Sequence, residues 1–361
     1  MLAIPSPSAI ALRCAAAMGL KCRLASVWPI GELTGWAGRS SFGSLSTADE
    51  VLADIDLRGR VIIVTGATSG LGKEAARALA SRGAHVIIPC RSLERGRDVA
   101  AWMGGTTSVF ECDLASLASV RSFAAAFLDT KLPLSCLLCN AGLMPGPFQL
   151  TVDGHESMFG VNVLSHALLC DLLIPHMRAS ALLPGACAGR IVFVSSIVHH
   201  LGYPGGFKAD VDSPEGFVAW KSYSQSKLAQ ILLARQMDDV FQRNGDRMAA
   251  FSVHPGAVHT QGSVDATAHS GAAGGCLTAL GKRFVRSVQQ GAGSLVFAAA
   301  HPQLEGARGS FICNANLADG HASKLTRNAS AKAKLWTLKC DLLAAANAPA
   351  DTLAAAEVSL P

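Results

Sequence analysis

The possible folds of this chain are restricted above all by an apolar run that leads into closely spaced glycines. Val61–Val64 contains only β-branched residues, which is typical of a strand covered on both faces in a parallel sheet. The next segment, Thr65–Gly72, holds three glycines, and Lys73–Arg82 then has the apolar spacing of a helix. This order predicts a strand, a tight glycine turn and a helix.

A turn of this kind can hold a phosphate group. Glycine lacks the Cβ that would keep a phosphate away from the backbone, and the N–H groups and dipole of a helix N-terminus attract an anion. The spacing Gly66-x3-Gly70-x-Gly72 differs from the standard dinucleotide fingerprint G-x-G-x-x-G, and a plain structural turn is the alternative interpretation. Because a strand precedes the turn and a helix follows it, we expect a nucleotide site. The residues expected to contact the nucleotide are Gly66, Thr68, Ser69, Gly70, Leu71 and Gly72.

Strands and helices alternate through the rest of the chain, which is the pattern of a parallel sheet with right-handed crossovers. The predicted strands are Val61–Val64, His85–Cys90, Ser108–Cys112, Leu134–Leu138, Arg190–Ser195, Ala249–Val253 and Gly309–Cys313. The longest predicted helices are Gly154–Met177 and Tyr223–Phe241. We therefore expect an α/β fold: a single Rossmann-type domain over residues 55–343, with a doubly wound, parallel seven-stranded sheet and helices on both faces.

The two ends of the chain differ from this domain. Residues 1–45 contain four basic residues and one acidic residue, together with many Ala and Ser. We therefore expect an N-terminal extension over residues 1–50, which is either an organelle transit peptide or a disordered or loosely docked segment. The Ala-rich residues 344–361 are expected to form a frayed tail.

The charge, the cysteines and the hydropathy narrow the class of protein. The net charge of +5 is small for 361 residues and Lys and Arg form no run, so no nucleic-acid partner is expected. Eleven cysteines without regular spacing suit a reducing compartment. Cys136 and Cys139 should face opposite sides of a strand, so we interpret them as buried apolar residues and expect no metal. The sequence contains no run of about 18 uncharged apolar residues, so it predicts no membrane-spanning helix.

Several motifs occur in an order that resembles the short-chain dehydrogenase/reductase family over residues 55–343. In addition to the glycine turn, they are Asp113-Leu114, Asn140-Ala141-Gly142, Asn162, Ser196, Tyr223-x3-Lys227 and Pro255-Gly256. The segments Ser195–His200, Tyr223–Ala229 and Val253–Gly256 are most similar to retinol dehydrogenases and to the related plastid-envelope and WW-domain-containing oxidoreductases. The resemblance implies a nicotinamide cofactor and a set of catalytic side chains.

The catalytic set implied by the resemblance is Asn162, Ser196, Tyr223 and Lys227. Tyr223 and Lys227 are four residues apart and share one face of a helix, and an ammonium beside a phenol lowers the pKa of the phenol. Tyr223 is therefore expected to act as an acid or base near neutral pH. Ser196 would bond the substrate oxygen, although the adjacent Ser195 competes for that role, and Asn162 would hold a water that links Lys227 to solvent.

The end of the second strand indicates the cofactor. Family members that use NAD place an acid there for the ribose 2′-hydroxyl, whereas this chain has Cys90 followed by Arg91. A guanidinium suits the 2′-phosphate of NADP(H), and Lys73 could assist; the alternative is an Arg that is simply solvated. The resemblance assigns further cofactor contacts to Asp113, Leu114, Asn140, Ala141, Gly142, Tyr223, Lys227, Pro255, Gly256 and Thr260.

The sequence thus predicts an NADP(H)-dependent oxidoreductase that interconverts a carbonyl and an alcohol. An apolar, retinoid-like or lipid-derived small molecule is the favoured substrate, because apolar residues fall near the expected cleft: Leu143, Met144, Phe148, Leu201 and Phe207. The alternatives are an NADPH-sensing scaffold subunit of a plastid membrane assembly and an enzyme similar to protochlorophyllide reductase. We expect an organelle location, with plastid ahead of mitochondrion, while a cytoplasmic or ER-membrane location stays open. Peripheral membrane association and a homodimer are further possibilities.

Overall fold

A largely parallel sheet with helices on both faces forms the body of the molecule. The computed structural model of the protein describes residues 37–208, 210–258 and 286–345. The predicted cofactor residue Thr260, most of the predicted N-terminal extension and the predicted tail beyond residue 345 lie outside these residues. The architecture confirms the α/β fold class that the sequence predicts.

In the described part of the chain, the sheet contains eight strands in the order β3-β2-β1-β4-β5-β6-β7-β8. The strands are β1 Val61–Val64, β2 His85–Cys90, β3 Thr107–Glu111, β4 Leu134–Cys139, β5 Gly189–Val194, β6 Met248–His254, β7 Phe311–Cys313 and β8 Asn316–Leu317. β1 to β7 are parallel, and Ile62 of β1 lies opposite Val86 of β2 and Cys136 of β4. The strand order therefore reverses between β1 and β4, which opens a crevice at the carboxyl ends of these strands.

Seven strands are predicted from the sequence, and the structure adds an eighth. β8 pairs antiparallel with β7, so that Ile312 lies opposite Leu317 and Cys313 opposite Asn316. The two residues of the connecting turn, Asn314 and Ala315, have positive φ angles of 56° and 55°. Asn favours such a turn, but a two-residue strand shows no alternation of apolar and polar residues that a sequence analysis could detect.

Helices cover both faces of this sheet. They are α1 Ala48–Val51, α2 Gly70–Ser81, α3 Leu93–Met103, α4 Leu117–Asp129, α5 Ser157–Ala181, α6 Ala219–Asn244, α7 Val288–Ala300 and α8 Ala329–Ala345. Side chains of α4, α5, α6 and α8 pack in one apolar core, and those of α1, α2, α3 and α7 pack in another. Cys139 lies in the first core and Cys136 in the second, which confirms that their side chains face opposite ways.

The long core helix α5 has an irregular turn near its start. Gly160–Leu164 is π-helical, and Ser165 N–H donates to the Gly160 carbonyl. Asn162 lies in this wide turn, a feature that occurs frequently at functional sites. By length and hydropathy α5 is the one described helix that could cross a membrane, and 78% of its most apolar window is buried inside the protein.

The chain before β1 is packed on the domain. The Ser40 N–H donates to Asn316 Oδ1 at 2.9 Å, and Asn316 Nδ2 donates to the Phe42 carbonyl at 2.9 Å. The Phe42 ring lies edge-on to Phe297 of α7, with 6.2 Å between ring centres, and α1 is buried in the same core as α7. The C-terminal part of the predicted extension is therefore part of the folded body.

Candidate active site

The glycine turn lies at the carboxyl end of β1 and leads into α2. Gly66 and Gly70 have positive φ angles of 68° and 53°, a conformation that residues with a Cβ rarely adopt. A Cβ on Gly72 would lie 2.2 Å from Asn140 Nδ2 and 2.5 Å from the Gly66 carbonyl oxygen. Glycine is therefore required at all three positions, twice for backbone conformation and once for close packing.

No side chain caps the N-terminus of α2. Ser69 occupies the N-cap position without bonding the first turn, whereas Ser92 and Ser116 cap α3 and α4 by accepting from Arg95 N–H and Ser119 N–H. Uncapped N–H groups at the start of a 12-residue helix attract an anion such as a phosphate. The residues present at this turn therefore fit a nucleotide phosphate.

The loop after β4 is fixed to the same turn. Thr65 Oγ1 accepts hydrogen bonds from the backbone N–H groups of Asn140 at 2.9 Å and Ala141 at 3.0 Å. In return, the Asn140 amide donates to the Thr65 carbonyl at 2.8 Å. Asn140 and Ala141 thus brace the ends of β1 and β4 against each other, beside the expected nucleotide position.

Tyr223 and Lys227 lie one helical turn apart on α6, and Lys227 reaches the end of β5. Lys227 Nζ lies 5.5 Å from the centre of the Tyr223 ring. Nζ donates to the Val194 carbonyl at 2.8 Å and to Gln230 Oε1 at 3.1 Å. A Cβ on Gly142 would come 3.5 Å from the same Nζ, so the loop after β4 passes beside this lysine.

Burial changes the proton affinity of both side chains. It raises the pKa of the Tyr223 phenol, and it lowers the pKa of Lys227 to about 7. The pKa of Tyr223 is therefore raised, and not lowered as the sequence predicts, because burial removes the phenol from water. Lys227 is instead able to change its charge near neutral pH.

Ser196 follows β5 and begins the 3₁₀ helix Ile197–Leu201. Its Oγ accepts from Val198 N–H at 3.4 Å, and its carbonyl accepts from His199 Nδ1 at 2.7 Å. The other ring nitrogen of His199 accepts from Ser323 N–H at 3.0 Å. His199 therefore anchors the Ser196 loop to the segment that follows β8.

Asn162 in the π-helical turn of α5 is bonded through both its side chain and its carbonyl. Its Oδ1 accepts from Leu143 N–H at 2.7 Å, and its Nδ2 donates to the Leu143 carbonyl at 3.1 Å and to Ser226 Oγ at 3.0 Å. Its carbonyl accepts from Gln230 Nε2 at 2.9 Å and from His166 Nδ1 at 3.2 Å. Asn162 thus joins the loop after β4, α5 and α6 at one point.

The two basic residues predicted to select the cofactor have different surroundings. Arg91 after β2 is exposed, whereas Lys73 Nζ lies 3.9 Å from the centre of the Trp102 ring on α3. Cys90 is buried, and a Cβ on Gly96 would come 2.5 Å from its sulfur. Arg91 is accessible to a ligand, while Lys73 would have to leave Trp102 to reach one.

Asp113 and Leu114 follow β3 and are held by local bonds. Asp113 N–H donates to Ser119 Oγ at 2.9 Å, and Asp113 Oδ1 accepts from Ala115 N–H at 2.9 Å. The Leu114 carbonyl accepts from Ser165 Oγ at 2.5 Å. These bonds hold the loop after β3 between α4 and α5, at the carboxyl edge of the sheet.

Pro255 and Gly256 follow β6 and are held by a residue that the sequence analysis missed. Arg286 is buried, its side chain donates to the Pro255 carbonyl at 3.0 Å, and it also bonds Asn314 Oδ1. Gly256 has a φ of 84°, and a Cβ there would come 2.3 Å from Arg286 Cζ. No local motif could have identified Arg286, because it reaches this loop only through the tertiary fold.

Aromatic side chains lie at and just before the start of α6. Trp220 is 42% exposed and its ring lies edge-on to Tyr223 at 6.1 Å, while Phe148 contacts Phe217 with 5.3 Å between ring centres. Of the residues predicted here, Leu143 is exposed and Met144, Phe148 and Leu201 are half-buried. Phe207 is instead buried in the core, because the loop before α6 turns at two glycines of positive φ and directs the ring inward.

Comparison with known proteins agrees with this geometry. A model of the short chain dehydrogenase family matches residues 60–208. Short-chain dehydrogenase TIC 32 B, chloroplastic, of Brassica napus is 37% identical over 319 residues, which cover 87% of this chain and 98% of that protein. Retinol dehydrogenase 11 of Mus musculus is 36% identical over 297 residues, which cover 81% of this chain and 88% of that protein.

A solved structure extends the comparison to three dimensions. The Pseudomonas aeruginosa RhlG/NADP active-site complex is 25% identical and has a TM-score of 0.56, over 72% of this chain and 95% of that chain. This chain belongs to the short-chain dehydrogenase/reductase family and is an oxidoreductase that acts on CH–OH donors with a nicotinamide cofactor.

Proposed function

We propose that the protein is an NADP(H)-dependent enzyme that interconverts an apolar carbonyl compound and the corresponding alcohol. The proposal depends on the convergence of Asn162, Ser196, Tyr223 and Lys227 at the carboxyl edge of the sheet, next to the glycine turn. A scaffold that only sensed a nucleotide would need the turn but not this set of side chains.

Each of these side chains has chemistry that suits carbonyl reduction. Ser196 O–H donates to the carbonyl oxygen of the substrate, and the Tyr223 phenol gives its proton to the same oxygen as the alcohol forms. Lys227, when protonated, stabilises the phenolate that remains. NADPH held at the glycine turn would supply the hydride for the carbonyl carbon. In the oxidative direction, the phenolate of Tyr223 takes the alcohol proton.

The preference for NADP(H) is proposed from the residues at the end of β2. Cys90 and Arg91 stand where an acid would bind the 2′-hydroxyl of NAD, and Arg91 is exposed. A guanidinium forms charge-assisted hydrogen bonds with a phosphate. The RhlG relative was solved with NADP, which supports the same choice.

An apolar substrate is proposed from the side chains at the start of α6 and on the loop after β4. Trp220 offers aromatic surface next to Tyr223, the Phe148–Phe217 pair lies before the start of α6, and Leu143 is exposed on the loop after β4. Burying apolar substrate surface against these rings is favourable, at about 25 cal/mol per Å². Retinol dehydrogenase 11 acts on such a molecule by its name.

A plastid location completes the proposal. The Brassica napus relative is chloroplastic by its name, and residues 1–45 are basic and poor in acids. Fusion of residues 1–45 to a fluorescent protein should direct the fusion to plastids in leaf cells. A fusion that stays in the cytosol would contradict this part of the proposal.

Turnover measurements test the activity. The purified full chain is incubated with NADPH or NADH and with retinoid, steroid, quinone and aliphatic carbonyl compounds, and loss of the nicotinamide absorbance is followed. Tyr223→Phe should abolish turnover and leave the affinity for NADPH nearly unchanged. Tyr203→Phe is the matched control, because Tyr203 is the other tyrosine of the chain and its hydroxyl bonds Ser222 Oγ at 2.9 Å.

Other outcomes would favour the alternatives. Tight NADPH binding without turnover of any substrate would favour a nucleotide-sensing scaffold. Light-dependent turnover of protochlorophyllide would favour an enzyme similar to protochlorophyllide reductase. Equal loss of NADPH binding in Tyr223→Phe would mean that Tyr223 supports the structure and has no catalytic role.

A further inference from the structure

Gln230 is fully buried on α6, one turn beyond Lys227, and both ends of its amide are bonded to catalytic residues. Gln230 Oε1 accepts from Lys227 Nζ at 3.1 Å. Gln230 Nε2 donates to the Asn162 carbonyl at 2.9 Å. The side chain thus spans from the lysine on α6 to the π-helical turn of α5.

Only one orientation of this amide satisfies its surroundings. If oxygen and nitrogen were exchanged, the amide NH₂ would face the lysine Nζ, and two donors would oppose each other. The amide oxygen would then face the Asn162 carbonyl, and two acceptors would oppose each other. The arrangement is therefore fixed by the chemistry of its neighbours.

The family resemblance gives Asn162 a water that links Lys227 to solvent, whereas here the Gln230 amide connects the Asn162 carbonyl to Lys227 directly. The Asn162 carbonyl has two lone pairs, and Gln230 Nε2 and His166 Nδ1 bond to it at 2.9 and 3.2 Å. His166 Nε2 in turn accepts from the Thr65 hydroxyl at 2.9 Å, since Nδ1 must carry the proton to donate to a carbonyl. A buried chain of polar groups therefore links the glycine turn to Lys227 through Thr65, His166, the Asn162 carbonyl and Gln230.

We propose that Gln230 is a positioning residue that holds Lys227 in place and sets its proton affinity, in a role that a water has in the family pattern. The inference rests on the proposed function only for its effect on turnover. Among the described residues, the titratable side chains that face Lys227 are Tyr223 on its own helix and His166 on α5. Neither carries a negative charge at neutral pH, so the ammonium depends on the Gln230 and Val194 oxygens as acceptors.

Two substitutions of opposite sign test the proposal. Gln230→Leu removes an acceptor from a buried ammonium, so the pKa of Lys227 should fall by about one unit, a tenfold weaker proton affinity. Gln230→Glu places a carboxylate at the same position, so the pKa of Lys227 should rise. General damage to the fold could not shift the pKa in opposite directions in the two variants.

The first measurement is an NMR titration of labelled lysine in the cofactor-free protein, with Lys227→Met to assign the resonance. Gln225→Leu is the matched control: Gln225 is the same residue type, fully buried on the same helix, and its Oε1 accepts from Lys208 N–H at 3.1 Å and not from Lys227. The control should leave the Lys227 titration unchanged. A Lys227 pKa that is equal in wild type, Gln230→Leu and Gln230→Glu would overturn the proposal.

The second measurement is the pH dependence of kcat for alcohol oxidation. In Gln230→Leu the less basic Lys227 loses its proton at a lower pH and no longer stabilises the Tyr223 phenolate, so the rising limb of the profile should move to higher pH. In Gln230→Glu the more basic Lys227 stays protonated, so the rising limb should move to lower pH. Absence of any turnover in wild type would contradict the proposed function, while the NMR titration would still decide the role of Gln230.

If neither variant folds, a high-resolution structure of the wild type decides: a water between Asn162 and Lys227, with the amide turned away, would overturn the proposal.

Discussion

Ser195 and Ser196 are adjacent, yet their hydroxyl groups have opposite roles in the hydrogen-bond network. Ser195 is buried and its Oγ donates to the Lys227 carbonyl at 2.7 Å. Ser196 is half-buried, and its Oγ accepts from Val198 N–H, so its own proton is available for a substrate. Ser195 therefore ties the end of β5 to α6, while the available proton of Ser196 supports its proposed role as the substrate ligand.

Substitution of the two serines should therefore affect different quantities. Ser196→Ala removes a donor aimed at the substrate oxygen and should lower kcat by about 10²–10³-fold with little change in stability. Ser195→Ala should lower the free energy of unfolding by about 1 kcal/mol and reduce kcat far less. Steady-state kinetics and urea unfolding of both variants check this, and the reverse pattern would exchange the two roles.

Gly72→Ala should damage the glycine turn. Its Cβ would lie 2.2 Å from Asn140 Nδ2, so the loop after β4 must shift, at a cost of about 1–3 kcal/mol in the free energy of unfolding. Gly320→Ala is the control, because a Cβ there meets no heavy atom of the described residues within 4 Å. Urea unfolding and NADPH titration should show losses in the first variant only; equal behaviour of the two variants would contradict the tight packing.

Arg91→Ala should reduce the preference for NADPH. One charge-assisted bond to a 2′-phosphate corresponds to about a tenfold ratio of kcat/KM for NADPH over NADH, and the exposed position of Arg91 makes this ratio fall with added salt. Arg95→Ala is the control, since Arg95 is also exposed, on α3. An unchanged cofactor ratio in Arg91→Ala would mean that Arg91 is only a solvated residue. Replacing Cys90 by Asp is a poorer test, because it would place a charged carboxylate in the buried site beside Gly96 and could destabilise the fold.

The parts of the fold that could be predicted are those with a local physical signal. β1 and β2 are confirmed with the predicted bounds, because β-branched runs bounded by glycine or polar residues mark buried strands. The two residues of β8 and the π-helical turn around Asn162 have no periodic signal and were missed. Arg286 and Gln230 could not be identified for another reason: Pro255 and Asn314, which bond Arg286, and Asn162, which bonds Gln230, are distant in the chain and meet them only after folding.

His199 should make the protein less stable in mild acid. Burial, with the neighbouring His200, lowers the pKa of His199 to about 3, whereas an exposed histidine titrates near 6.5. The unfolded chain therefore binds a proton that the folded chain does not, and the free energy of unfolding falls as the pH drops below 6.5. Between pH 6.5 and 5 this contribution is about 2 kcal/mol. His199→Gln removes the titration, so urea unfolding at several pH values should show a shallower slope; an equal slope would contradict the prediction.

The segment that precedes β1 limits where a protease could shorten this protein. The family match begins at residue 60, yet Ser40 and Phe42 already bond Asn316 of β8, and α1 covers α7. A chain cut at residue 60 would expose Phe297 and leave Asn316 of β8 without its bonds to Ser40 and Phe42. We therefore expect any cleavage that removes a leader peptide to fall before Gly38, because Ser40 and Phe42 bond β8 and α1 packs in the same core as α7.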